Sequence, residues 1–362
     1  MNKVKSSGDN RNYGIDILRI LAMFFVVLLH CLGHGGIIYN AYVNTPQYKI
    51  SWLMEILAYC AVDIFGLISG YVAYSDTEKR NNYVNYGTLW LEVVFYGVLV
   101  TGIFDILNIV PISIKDYVIS LYPVTGGLYW YFTAYTGLFI FMPLINSAIR
   151  NTSSKTLKRF LIVLFFVFSM FNTITKRFNL DDGYSFLWLL LLYIMGAIIK
   201  KCQIEKKIKN YKIYLGVICL TAITYLYKIY GFNLVISDIK MTNDLFISYT
   251  SPTILLIAIL YTIYFSKIHF NDIVKKIIKF ITPSAFAIYL INTHRLVWKY
   301  VIDNLFVDIA KGSIIKIILY PIAFSFVFVI VVILIDKIRQ YIFKHLKIKI
   351  LMENFFDKVL KI

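Results

Sequence analysis

No stretch of this 362-residue chain is both long enough for a soluble domain and free of apolar runs near bilayer-spanning length. That absence removes the two or so soluble domains that the length alone would suggest, and leaves one integral membrane domain. Metal-binding spacing is missing too, since Cys31, Cys60, Cys202 and Cys219 make no ligand pattern. No Gly/Ser linker, low-complexity tract or clear internal repeat divides the chain. Charge is scarce, at 16% of residues against 59% hydrophobic, and what there is leans one way: 37 Lys and Arg against 20 Asp and Glu, a net +17.

In a soluble protein that excess would raise nucleic acid as a partner. Here its position along the chain decides. Ten spans are expected, over 15–32, 52–74, 87–110, 128–148, 160–175, 184–199, 213–230, 246–265, 281–300 and 314–335. With the N-terminus inside, the two tails and the loops that would face the cytoplasm hold 26 of the 37 Lys and Arg. Such asymmetry predicts an all-α polytopic protein of about ten transmembrane helices, both termini cytoplasmic, in the plasma membrane. The basic residues then serve orientation and contact with lipid headgroups, and nucleic acid is not expected as a partner.

The polar, basic first 14 residues with the run behind them have the outline of a signal peptide. The run from Ile15 to Leu32 is longer than a signal core and carries Arg19, so it is expected to stay as the first helix. Three parts are thus expected: a cytoplasmic tail over 1–14, a membrane domain over 15–336, and a basic, amphipathic tail over 337–362 lying on the inner leaflet.

The segment RILAMFFVVLLH, Arg19 to His30, poses the functional question. Eleven steps of 100° end about 20° from three whole turns, so both side chains share one face about 16 Å apart. A charged arginine within a span costs a few kcal/mol unless it meets protein, water or an anion. One reading is an Asp16–Arg19 pair that merely anchors the helix at the inner headgroups, with His30 a hydrogen-bonded histidine at the outer interface. The other joins the two: a cation toward the inner side and a titratable base toward the outer, lining one cavity that suits an anionic cytoplasmic donor and a proton-bearing acceptor. His34, four residues after His30, makes a possible metal pair, but a third ligand is not evident and no metal is expected.

Asp16, Leu18, Arg19, Ala22 and His30 in GIDILRILAMFFVVLLH resemble the first helix of the acyltransferase 3 family, marked by an arginine and a histidine with ten residues between them. AVDIFGLISGYVAY (Ala61 to Tyr74), YWYFTAYTGLFIFMPLIN (Tyr129 to Asn146), FLWLLLLYIMGAIIKK (Phe186 to Lys201) and FAIYLINTHRLVW (Phe286 to Trp298) are similar to later landmarks of that family, in order. The resemblance, strongest to bacterial members found with capsule or exopolysaccharide genes, implies transfer of an acyl group, usually acetyl, from cytoplasmic acyl-CoA to a hydroxyl of a cell-envelope glycan. Acetyl-CoA is then a substrate, with no permanently bound cofactor. The SGNH hydrolase-like domain fused to some relatives is expected to be absent. Relatives commonly carry a histidine after Tyr-Leu-Ile in the penultimate span, whereas Asn292 follows Ile291 here and His294 comes two residues later.

Within that chemistry His30 is the expected base, taking the acceptor proton or first carrying the acyl group itself. Arg19 suits the CoA phosphates at the inner mouth, or a developing oxyanion deeper in. Glu55, Tyr59 and Asp63 recur every fourth residue, and Asp63 would orient His30 or balance Arg19, or else serve only helix packing beside Gly66, Ser69 and Gly70. Glu92, an acid expected within a span, is the other candidate. Trp130 and Tyr135 are either part of an interfacial aromatic belt or a platform for a sugar ring, with His34 beside them. The competing function is a polytopic glycan or lipid transporter, which would be expected to show repeats and about twelve spans.

Overall fold

The computed structural model describes residues 11–77, 83–232, 234–236 and 239–360. Residues 1–10 of the expected N-terminal tail and residues 78–82, 233, 237–238 and 361–362 lie outside the described residues. The chain runs α1 (Tyr13–Leu32), α2 (Pro46–Ala58), α3 (Ala61–Ala73), α4 (Tyr83–Ile106), α5 (Ile114–Leu121), α6 (Trp130–Asn151), α7 (Ser154–Phe165, continued to Thr175), α8 (Phe186–Lys201) and α9 (Asn210–Tyr230). After a short antiparallel hairpin of Leu234–Ile236 with Ile239–Met241 come α10 (Pro252–Ser266), α11 (Asp272–Ile281), α12 (Ala285–Asn292), α13 (Ile314–His345) and α14 (Ile348–Leu360).

Among the described residues, seven helical segments are long and apolar enough to cross a membrane: α1 with its extension to Asn40, α2 with α3, α4, α6, α7, α9 and α13. The other three expected spans exist as apolar helices of lesser length. Helix α8 has 16 residues and α10 has 15, about 24 and 22 Å of rise against a hydrocarbon core of about 30 Å. The span expected over 281–300 is broken. Thr282–Ser284 form a 3-10 turn, α12 ends at Asn292, and a short turn at Arg295–Val297 leads into a π-helical turn at Trp298–Ile302. Interrupted backbone at membrane depth is tolerated where protein or a cavity surrounds it. The same holds for the expected single span 52–74, which breaks between Ala58 and Ala61.

The long α9 and α13 stand outside, whereas the long α1 and the short α8 lie inside. Helices α9 and α13 expose Ile218, Leu226, Phe326, Val327 and Leu334, an apolar exterior where lipid is the solvent. Helix α8, by contrast, buries Trp188, Leu192, Tyr193, Met195 and Ile199. It crosses α3 at two glycines: a Cβ on Gly70 would lie 1.8 Å from the Tyr193 carbonyl oxygen, and one on Gly196 2.0 Å from that of Leu67. Only glycine allows backbones so close, which is how helices gain packing area where no hydrophobic effect drives them together. Helix α1 is held between these layers, with Ile15, Leu18, Ala22, Val27, Cys31 and Leu32 fully enclosed.

The boundary expected at 336/337 falls within a continuous helix. Helix α13 runs unbroken to His345, and α14 then folds back on α4, where Phe356 packs 5.8 Å from Tyr83, ring to ring, and against Gly87.

Candidate active site

Two cavities adjoin within the bundle. The smaller holds about 270 Å³ and is lined by His30 of α1, Val62 and Phe65 of α3, Trp130 and Tyr131 at the start of α6, and Tyr289, Thr293 and Trp298 of the broken segment. The larger holds about 800 Å³ and is lined by Arg19 of α1, Glu92 of α4, Tyr135 and Asn146 of α6, and Thr282 and Pro283 below α12. Phe65, Tyr131 and Phe286 line both and mark where the two meet. One helix face therefore serves two chambers, because Arg19 and His30 lie three turns apart on α1.

The break after α12 sets the geometry at His30. Asn292 is the last residue of α12, fully buried, and its side-chain oxygen meets Nδ1 of His30. The Trp298 indole stands perpendicular to the imidazole at 4.9 Å, with its N–H 3.3 Å from the same Nδ1. A single ring nitrogen cannot donate to one and accept from the other at once. With the amide oxygen as nearer partner, Nδ1 carries the proton and donates to Asn292, which leaves the lone pair on Nε2; the tautomer is assigned from this network.

His294, two residues beyond Asn292, is fully buried and lines neither cavity. Its Nδ1 accepts from the backbone N–H of Leu296 at 3.3 Å, so it caps the turn that restarts the chain. His34 is exposed and lies on Trp298 with ring centroids 4.0 Å apart, at the edge of the His30 site.

Charge at the larger cavity is balanced by two clusters. Arg19 Nη1 is 3.3 Å from Oδ1 of Asp16, whose other oxygen takes Arg11 Nε. The anchoring pair of the first reading is thus present, yet it leaves Arg19 a quarter exposed and facing the cavity. Across the chamber Glu92 lies 3.5 Å from Arg339 of α13. Arg339 also donates to both oxygens of Asp336, at 2.6 and 3.2 Å, and Tyr96 and Gln340 complete that carboxylate's partners at 2.7 and 2.6 Å. A buried charge with this many partners is satisfied rather than strained.

The residues expected from sequence are therefore distributed. His30 and Trp130 share the small cavity; Arg19, Glu92 and Tyr135 share the large one. Asp63 joins neither: it accepts from Trp188 Nε1 at 2.9 Å between α3 and α8, with no contact to His30 or Arg19. Asn292, Trp298, Asp336 and Arg339 did not stand out in the sequence as members of these sites. For Asn292 the signal was its occupancy of a position where relatives carry histidine. No group of three or more His, Cys, Asp and Glu that would hold a metal occurs among the described residues.

One family model, described as an acyltransferase domain, matches residues 12–336. No curated protein and no solved structure matches the chain.

Proposed function

Because the chain belongs to the acyltransferase 3 family, we propose that it moves an acetyl group from cytoplasmic acetyl-CoA to a hydroxyl of a cell-surface polysaccharide or its lipid-linked precursor. The observation that carries this reading is the pair of adjoining cavities, one holding the cation Arg19 and the other the imidazole His30, with a thin aromatic wall between. The large chamber takes the donor, with Arg19 on a phosphate or the pantetheine arm. The small one takes the acceptor, with Trp130 and His34 against the sugar. The thioester is delivered to the wall, where both substrates reach His30.

Nε2 of His30 takes the proton of the acceptor hydroxyl as its oxygen attacks the thioester carbon. The carbon–sulfur bond then breaks, and the imidazolium returns the proton to the departing CoA sulfur. Asn292 holds the ring in the tautomer this requires. A small, aromatic chamber also keeps water from competing for the acyl group. Glu92 balances charge through Arg339 and does not meet the reacting atoms, while Asp63 acts only in packing.

The same reading sets the chain in the bacterial plasma membrane with ten apolar segments, the short α8 and α10 and the broken 281–300 included, both termini cytoplasmic, and residues 15–336 as the membrane domain. It is tested on cell-envelope glycan from cells carrying wild type, a deletion or His30→Ala at matched membrane levels. An O-acetyl ester seen by mass and NMR in wild type alone supports both the activity and the base. An ester that persists in His30→Ala removes the base, and glycan unmodified in every strain removes the acceptor class.

A further inference from the structure

A third cavity, of about 890 Å³, lies at the start of α1 and is not part of either chamber. Its walls come from three segments far apart in sequence: Arg11 to Tyr13, Lys200 at the end of α8, and Ser266 to Lys279 around the start of α11. Five of its lining residues are cations, Arg11, Lys200, Lys275, Lys276 and Lys279, against the single acid Asp272, which pairs with Lys275 at 2.9 Å. Arg11, Lys275 and Lys279 converge on one ring, at 5.7, 5.9 and 5.6 Å from the centroid of Tyr13. Like charges are not gathered into a concavity without cost, and such a site attracts a multiply charged anion.

The groove is joined to the donor chamber by a single carboxylate. Arg11 lines the groove, Arg19 lines the chamber, and both are held by Asp16. Along α11 the same order recurs: Lys275, Lys276 and Lys279 in the groove are followed by Thr282 and Pro283 in the chamber. From one end to the other the molecule offers a cationic groove, Arg19, a roomy chamber, an aromatic wall and His30.

Resting on the donor reading above, we propose that this groove seats the 3′-phosphoadenosine end of acyl-CoA, the part of the donor most distant from its thioester. The donor has the same order as the protein: phosphates at one end, a long neutral arm, and the reacting carbon at the other. Arg19 is then freed from anchoring the far phosphate and acts on the arm or the diphosphate as it passes into the chamber. The groove's alternative occupant with the same chemistry is the phosphate of an anionic lipid, since α11 exposes Ile273, Ile277 and Phe280 beside its lysines.

The test is calorimetric binding of CoA and of 3′-dephospho-CoA to the full chain. It compares wild type with Lys275→Gln/Lys276→Gln, in nanodiscs of phosphatidylcholine alone and with phosphatidylglycerol. Wild type is expected to bind CoA about tenfold or more tightly than dephospho-CoA, as for loss of a charge-assisted contact. That preference should collapse in the variant, weaken with salt and be the same in both lipids. Equal affinity of wild type for the two ligands overturns the proposal with no variant needed. So does an unchanged preference in the variant, or a variant that loses only its retention of phosphatidylglycerol, which gives the groove to headgroups. If wild type binds neither ligand in either disc, the donor reading itself fails.

Discussion

The chamber around His30 and the chamber around Arg19 share a wall and little else. One holds about 270 Å³ and, His30 and Arg295 apart, is lined by aromatic, aliphatic, glycine and threonine residues; the other is about three times as large and includes Arg19 and Glu92. Arg295 is itself tied to Asp116 of α5, and the Asp116 carboxyl is held below its usual range by hydrogen bonds from Ser113 and by that arginine. The contrast teaches a division of labour. Recognition of a charged, flexible molecule needs room and fixed charges, whereas acyl transfer needs a dry, narrow place with one correctly aimed nitrogen. A single site that met both demands would be wet where it should be dry.

The division is broken most severely at His30. His30→Ala should lower ester formation by about 10²- to 10⁴-fold with acyl-CoA binding nearly unchanged, measured by transfer to a soluble acceptor and by calorimetry. If binding fell in parallel, the two chambers would not be separate in function. Next is Arg339→Gln, which strands Asp336 and Glu92 at the edge of the large chamber. It should cost about 3–5 kcal/mol, read as a fall in the detergent melting temperature, and the companion Asp336→Asn should recover part of it. Asn292→Ala sharpens the contrast from the small side. Misaiming the ring should reduce kcat on the order of a hundredfold while leaving KM for acyl-CoA in place.

Arg19→Lys sharpens it from the large side. The charge stays but the planar fork is lost, so KM for acyl-CoA should rise about tenfold with kcat at saturation little altered. A change in kcat alone would move Arg19 from donor binding to the reacting oxygen. Smallest of all is Asp63→Asn, outside both chambers. The amide oxygen still accepts from Trp188, so stability should fall by no more than about 1 kcal/mol and neither kinetic constant should change.

Hydropathy placed all seven helices long and apolar enough to cross a membrane, because burial in lipid or in protein leaves the same mark on composition. It was blind to length and continuity for the same reason. Nothing in an apolar average distinguishes α8, enclosed on most sides at 16 residues, from α9, which borders lipid at 21. The breaks at Tyr59–Cys60 and Thr293 were equally invisible, since neither carries a proline or glycine and their N–H groups still bond within the preceding turn, Tyr59 to Ile56 and Thr293 to Tyr289. At the site, helical spacing put Arg19 and His30 on one face of α1, a local fact. Asn292 meets His30 across 262 positions, and no periodicity predicts which residue a distant, unwound segment will bring. Asp63 shows the converse: the four-residue spacing fixed its face on α3, but not that α8, with Trp188, would be the neighbour. Asp336 and Arg339 straddle the boundary expected at 336/337, and nothing in the pattern marked them as one cluster on a helix that runs to His345.

The wall of Phe65, Tyr131 and Phe286 has a bioenergetic meaning as well. If the two chambers face opposite sides of a charged membrane, as the proposed reading has them, a water path between them would form a conductor, and each unit charge crossing 100 mV dissipates about 2.3 kcal/mol. The two phenyl rings offer neither a proton relay nor a ligand for ions, and the single phenol hydroxyl of Tyr131 makes no chain by itself. On the proposed reading these three side chains are insulation: an acyl group is handed past them while charge is not.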